Sequence, residues 1–423
     1  MAVQERSVAD ICASAKEASR VLARLDSGTR DAALEAIAAA LEARLDEVLE
    51  ANARDVEAAE EAEIGAALVD RLRLTPERVA GIARGVREIA ALRDPVGEVL
   101  DGFKMANGLD VRKVRVPLGV VAVVYESRPN VTIDCTALAL KSGNAIVLRG
   151  SSMAAHSNAL LAELAREAIA GAGVPADAVA LVAGGGRGEM REVATQDGVI
   201  DLLIPRGGEG LKKALMEYAT VPVIYAASGN CHVYVDASAD LENARAITLN
   251  AKIQRPGVCN AAETLLVHSG VAAEFLPGIM RDLRDAGVEL HVDARSRSCA
   301  GELADAVSDA TEEDWATEYL ALVLAVKVVD SAEEAIEHVN RYGSGHSEAI
   351  VTDSESAARD WVEGIDAACV YVNASTRFTD GGEFGMGAEI GNSTQKLHAR
   401  GPIGVRELCT YKYVVEGSGQ IRP

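Results

Sequence analysis

The sequence predicts an α/β fold: two doubly wound parallel α/β domains and a β-hairpin arm. Three observations carry this. Short apolar runs alternate with amphipathic segments from Val120 onward, the alternation resumes after Cys259, and Asn107-Gly108 separates two strand-like runs. Strands alternating with helices imply parallel sheets joined by right-handed crossovers. The 423 residues suit two or three domains at roughly 150 residues each.

Residues 5 to 95 read as helical, with apolar positions such as Leu34, Ile37, Leu41, Leu45 and Leu49 recurring at helical spacing. Asp26 or Ser27 is the expected cap before them. The segment shows no repeat at a fixed period, so a helical solenoid is set aside. Between about 96 and 118, Val111, Val114 and Val116 lie among charges. Asn107-Gly108 is the strongest short hairpin signal there. A hairpin that projects from its domain can pair with another subunit.

From Val120 the expected strands are VVAVVY, AIVLR, AVALVAG, VIDLLIP, VPVIYA and CHVYVD. Continuous apolar runs of this kind suit strands buried on both faces. The expected helices between them include TIDCTALALKSG, SSMAAHSNALLAELAREAIAGAG and GGEGLKKALMEYA. After Cys259, ETLLVH, ALVLAVKVV, EAIVT and ACVYVN read as strands. VAAEFLPGIMRDLRDAG, SAEEAIEHVNRYG and SESAARDWVEGI read as helices, and the tail ends in strand-like TYKYVVEG.

Composition narrows the function. The chain is 49% hydrophobic and 25% charged, which excludes disordered and collagen-like chains. A formal charge of -22 repels nucleic-acid phosphates, and aromatics at 4% give no stacking platform, so no nucleic-acid partner is expected. No apolar run reaches the ~20 residues of a membrane span, and the first residues carry no secretory pattern. Seven scattered cysteines without a CxxC pair suggest neither a disulfide framework nor a zinc site. The expectation is a cytoplasmic protein with no membrane contact and no metal.

Four places offer chemistry. Cys259, in NAKIQRPGVCNAAETLLV, lies on a turn after Pro256-Gly257, where nearby Lys252 and Arg255 could favour the thiolate. A free cysteine is more often a small core hydrophobe, and both readings stand. Asn130, in YESRPNV, follows a buried strand and could donate its amide to a developing oxyanion, or simply cap the next helix. LRGSS (148–152) and PRGGEG (205–210) each join a strand to a helix. Such junctions offer backbone N–H groups and a positive helix end to phosphate. Arg149, Ser151, Arg206, Gly207 and Gly208 are therefore the cofactor candidates. Neither loop has the GxGxxG or P-loop spacing, and tight turn chemistry is the alternative, but two such junctions in one sheet favour a dinucleotide site. GGGRGE at 184–189 is a weaker glycine signal.

These residues carry a resemblance. VPLGVVAVVYESRPNVT, DLLIPRGGEGL, GNCHVYVD, NAKIQRPGVCNAAETLLV and MGAEIGNSTQKLHARGPIGVRELCTYKYVV stand in family order over nearly the whole chain. The sequence resembles the aldehyde dehydrogenase superfamily, and within it the branch that reduces an acyl phosphate. The resemblance implies a dinucleotide-binding domain over 1–250 with the hairpin arm at about 98–118. It implies a catalytic domain over 251–385, and a C-terminal return and oligomerisation strand over 386–423. It makes Cys259 the nucleophile, with the Asn130 amide and the Cys259 backbone N–H as oxyanion donors. The implied substrate is gamma-glutamyl phosphate, reduced through a Cys259 thioester to glutamate 5-semialdehyde on the route to proline. A homo-oligomer is implied, and glutamate kinase is a candidate partner because the acyl phosphate is labile.

Other assignments rest on the same resemblance. Glu318, in TEYLALVLAV, matches the glutamate that holds the nicotinamide ribose, though it could be an ordinary exposed acid. Arg149 takes the place of a basic residue beside the adenosine ribose. With Met153 where relatives often carry glutamate, it favours NADPH/NADP over NADH. Arg128, Arg255 and Arg377 are candidates for substrate carboxylate and phosphate, or structural arginines. Asn373 and Phe378 match a stretch lining the nicotinamide end. Hydrolytic members carry a water-activating glutamate some thirty residues before the cysteine, and here Ala226 falls near that position. Without that base, phosphate rather than water becomes the acceptor in reverse. The alternatives are a hydrolytic semialdehyde dehydrogenase and a catalytically silent nucleotide-binding relative.

Overall fold

The Ala-, Leu- and Glu-rich N-terminal segment has the propensity for helix and forms Val8–Leu22, Ser27–Ala43, Leu45–Glu61, Ala66–Leu72 and Pro76–Ala91. The computed structural model describes residues 6–184, 186–225 and 228–422. Asp26 is the cap the sequence indicates: its carboxylate accepts the Thr29 N–H at 2.8 Å. Leu34, Ile37 and Leu41 are buried on one stripe. The helix breaks at Arg44 (φ -108°), so Leu45 and Leu49 belong to the next one.

The chain forms two compact units. The first holds the described residues up to Tyr225, with Gly385–Gly391 and Ile403 onward. Its parallel sheet has the order Val179–Leu181, Ala145–Arg149, Val120–Tyr125, Leu202–Arg206. All six residues of Val120–Tyr125 are buried, as a central strand with helices on both faces requires. Pairing of Val124 with Arg149 and of Tyr125 with Arg206 lines up three strand C-termini along one edge. The arm is antiparallel: Val99–Lys104 pairs with Asp110–Pro117, which pairs with Cys409–Glu416. Gly108 takes φ 89° in the hairpin turn, which glycine adopts without steric cost.

The second unit holds the described residues from position 226 to Phe384, with Asn392–Pro402. Its seven parallel strands run Ser308–Asp309, Glu289–Val292, Val323–Val329, Ala262–His268, Cys231–Val235, Ser347–Val351, Cys369–Val372. The core lies between this sheet and helices such as Leu241–Ile253 and Ser269–Asp285, where Leu265, Leu276, Met280 and Leu324 are buried. Tyr234 stacks on the fully buried Trp361 at 5.6 Å between ring centroids.

Three differences from the sequence reading have physical causes. The division falls after Tyr225 rather than at 250, because CHVYVD joins the second sheet between Ala262–His268 and Ser347–Val351. The described part of VPVIYA is not a strand, and makes only the isolated bridge from Val223 to Leu203. Glu289–Val292 and Ser308–Asp309 were not expected, being too short to show a period. Among the described residues, no helix is long and apolar enough to cross a membrane.

Candidate active site

The Leu241–Ile253 helix ends where Pro256 cannot continue it. The next strand begins at Ala262, so Cys259 sits half-buried on a turn at the N-terminal edge of the second unit's sheet. Gly229 lies against this turn. A Cβ built on Gly229 overlaps the Cys259 carbonyl and stands 2.5 Å from Cys259 Cα, whereas real Cβ atoms essentially never come within 3.0 Å. From below, the Cys231 thiol donates to the Cys259 carbonyl at 3.2 Å. Burial holds the Cys231 pKa well above the ordinary thiol range, with the Glu348 and Cys259 charges adding to the effect. Cys231 therefore stays a neutral donor.

Glu318 reaches the same turn: its Oε1 accepts the Gly229 N–H at 2.6 Å. Arg377 is half-buried, donating to Gln254 Oε1 at 2.8 Å and to Asn260 Oδ1. Its basicity is lowered by burial first and then by the like charge of Arg255, and raised by the Cys259 charge. Arg377 thus lies within electrostatic reach of the exposed Arg255 and of Cys259. Asn260 donates to Thr379 O at 2.9 Å, and Thr376 Oγ1 donates to Asn260 O at 2.7 Å. Lys252 plays a different part from the one expected: it is fully buried and spent on Glu263 at 2.5 Å. Phe378 is exposed beside Arg377. Asn373 lies at the opposite strand edge, with both side-chain amide atoms bonded to the Thr352 backbone. It braces the sheet there.

In the first unit, the expected cofactor residues gather along the C-terminal strand edge, where open parallel sheets bind ligands. Arg149 ends its strand buried; its guanidinium donates to Gly186 O, and its Nε has no hydrogen-bond partner among the described residues. Burial lowers its basicity, while Glu189 and Tyr218 raise it. Ser151 Oγ accepts the Met153 N–H at 3.3 Å. A Cβ on Gly207 would press on the side chains of Glu126 and Leu211, which would have to shift. The Gly208 N–H, expected to face phosphate, instead donates to the Glu126 carboxylate at 3.1 Å. A carboxylate there satisfies the positive end of the Glu209–Tyr218 helix.

Asn130 opens the Asn130–Lys141 helix, with Pro129 as the cap residue. Its amide donates to Asp134 Oδ2 at 2.8 Å. The Asp134 carboxyl is pushed up to about 6 by burial, against the lowering effects of Asn130 and Arg206. Arg128 is exposed, and its backbone N–H donates to Glu126 O at 2.6 Å.

The profile of the aldehyde dehydrogenase family matches residues 1–298 and 306–414. The gamma-glutamyl phosphate reductase of Thermobifida fusca is 54% identical over 99% of both chains. The protein of the same name from Moorella thermoacetica is 53% identical over 96% of this chain and 97% of its own. The chain belongs to the aldehyde dehydrogenase family, among the gamma-glutamyl phosphate reductases. The crystal structure of the Thermotoga maritima gamma-glutamyl phosphate reductase superposes with a TM-score of 0.96 at 47% identity, covering 99% of this chain and all of that one.

As a member of this family the chain is an oxidoreductase that uses a nicotinamide cofactor. The first unit fits an anionic cofactor group: the Arg149 Nε has no hydrogen-bond partner among the described residues, and Gly208 at the neighbouring strand end faces open space. Sequence reasoning missed Asp134, Gly229, Glu126 and the pairing of Lys252 with Glu263. Asp134 was signalled by its spacing of four from Asn130, which puts both on one helix face. Gly229 and Glu126 carried no local signal. The Lys252–Glu263 pair lay unremarked because buried partners eleven positions apart follow no motif. Ala226 lies outside the described residues.

Proposed function

We propose that this chain reduces L-gamma-glutamyl 5-phosphate to L-glutamate 5-semialdehyde and phosphate with NADPH, through a thioester on Cys259. The observation that carries the reading is the Cys259 turn, held by Gly229, Cys231 and Glu318 and faced by Arg377. The Cys259 thiolate attacks the acyl carbon. The bond from that carbon to the phosphate oxygen breaks, phosphate departs with the electron pair, and a thioester remains. A bound NADPH supplies the hydride that reduces the thioester carbonyl. The carbon–sulfur bond then breaks, the aldehyde leaves and Cys259 is a thiolate again.

Asn130 and the Cys259 backbone N–H remain the proposed oxyanion donors; losing one such donor costs roughly 100- to 1000-fold in kcat. Arg128, Arg255 and Arg377 are proposed for the anionic ends of the substrate. Arg149, Ser151, Arg206, Gly207 and Gly208 are proposed to hold the cofactor, and Glu318 its nicotinamide ribose. Use of Gly208 requires the Glu126 carboxylate to yield its N–H. The buried Arg149 cation and Met153 in place of an acid support NADPH over NADH. Alanine at 226 provides no base for water, which supports phosphate as the acceptor in reverse over the hydrolytic alternative. The antiparallel arm, with Phe103, Tyr411, Tyr413 and Val415 exposed, supports a homo-oligomer. A cytoplasmic site and exchange with glutamate kinase complete the proposal.

The test is turnover of glutamate semialdehyde with NADP, with and without phosphate. Turnover that needs phosphate supports the reading. Equal turnover without phosphate favours a hydrolytic dehydrogenase.

A further inference from the structure

Lys252 and Glu263 are both fully buried and pair at 2.5 Å. Such a pair is weak grounds for stability, since apolar residues of similar volume often do as well. Its surroundings suggest another use. Besides Lys252, Glu263 engages the backbone: its Oε1 accepts the Leu320 N–H at 3.2 Å. Leu320 sits at φ 53°, a left-handed conformation that a leucine seldom adopts. The residue is 48% exposed, so packing of its side chain constrains the backbone there only weakly. Two residues earlier, Glu318 accepts the Gly229 N–H at 2.6 Å, and Gly229 abuts the Cys259 carbonyl. A Cβ on Gly257 would lie 3.7 Å from the Leu320 carbonyl, so the loop and the nucleophile turn are neighbours on this side as well.

We propose that Glu263, anchored by Lys252, is a positioning residue: by holding the Leu320 N–H it keeps Leu320 left-handed, and so sets Glu318 on the Gly229 amide beside Cys259. The proposal rests on the reading of Cys259 as nucleophile and Glu318 as a cofactor ligand. Neither Lys252 nor Glu263 need touch a substrate for this role.

Two exposed substitutions test it without disturbing the buried pair. Leu320→Gly accepts the left-handed conformation freely and is expected to keep kcat and the KM for NADPH within threefold. Leu320→Val, whose branched Cβ opposes positive φ, is expected to raise the KM for NADPH at least fivefold with a smaller change in kcat. It should also change the rate of Cys259 alkylation by iodoacetamide at least threefold.

A second pair of variants probes the acceptor itself. Lys252→Met with Glu263→Leu removes it, and is expected to reproduce the Leu320→Val kinetics. Lys252→Met with Glu263→Gln retains an oxygen for Leu320, and is expected to restore them to within threefold. Unchanged kinetics and alkylation in Leu320→Val would overturn the proposal, as would a folded Gln variant as impaired as the Leu one. If Cys259→Ala itself still turns over, the underlying reading fails. If that variant is inactive while Leu320→Val behaves as the parent, only the positioning role fails.

Discussion

Gly229→Ala adds one methyl group against the nucleophile turn. The new Cβ would stand 2.5 Å from Cys259 Cα, and closer still to the carbonyl, where 3.0 Å is the practical limit. The obstacle is backbone, so no rotamer change relieves it. Parting the two segments by about 1 Å displaces the nucleophile far enough to cost roughly 100-fold in rate. Overpacking of this kind costs about 1–3 kcal/mol of stability, which leaves a protein of ordinary stability folded. The assay is the initial rate of NADPH formation from glutamate semialdehyde, NADP and phosphate, beside a thermal unfolding curve. Gly257→Ala is the control, because its Cβ would meet Leu320 O at an ordinary 3.7 Å and should leave the rate nearly unchanged. A folded Gly229→Ala enzyme within threefold of the parent would refute the claim that this contact sets the nucleophile.

The remaining predictions concern charge and hydrogen bonding. The Asp134 carboxyl is raised to about 6 in the folded chain, so its contribution to stability is present below the ordinary carboxyl pKa and is lost as pH rises through about 6. Unfolding curves of the parent and Asp134→Asn, compared from pH 4 to 7, should show the parent losing ground by at most about 3 kcal/mol; parallel profiles would contradict this. Arg149→Met should raise the KM for NADPH at least tenfold while changing that for NADH less than threefold, and an equal rise for both would argue against a 2'-phosphate role. Asn260→Ala removes the amide donor to the Thr379 carbonyl and the Asn260 acceptor of Arg377, which keeps its bond to Gln254. It should cost about 1–3 kcal/mol in chemical denaturation and raise the KM for the semialdehyde.

Much of the fold was legible because its strands are continuous apolar runs bounded by glycine and proline. VVAVVY and ETLLVH needed no tertiary information to be read as strands. The hairpin at Asn107-Gly108 was equally local. The domain boundary was not, since CHVYVD is bracketed by similar strands and its pairing with Ala262–His268 and Ser347–Val351 is what assigns it to the second sheet. Cys259, the proposed nucleophile, could be singled out by its turn, yet the rule placing ligands at strand C-termini points to the edge opposite it. Its neighbours are Gly229 and Cys231 from one segment and Glu318 from another, and only folding brings them to Cys259. Lys252 illustrates the reverse error. Nearness in sequence suggested a cation for the thiolate, but the helix turns that side chain inward to Glu263.

The central claim is that Cys259 passes an acyl group between phosphate and hydride chemistry. It is tested most directly by following NADPH absorbance with glutamate semialdehyde, NADP and varied phosphate, in the parent and in Cys259→Ala. The account predicts turnover that rises from near zero with phosphate and is absent from a folded Cys259→Ala protein. Turnover independent of phosphate, or surviving in the variant, would contradict it.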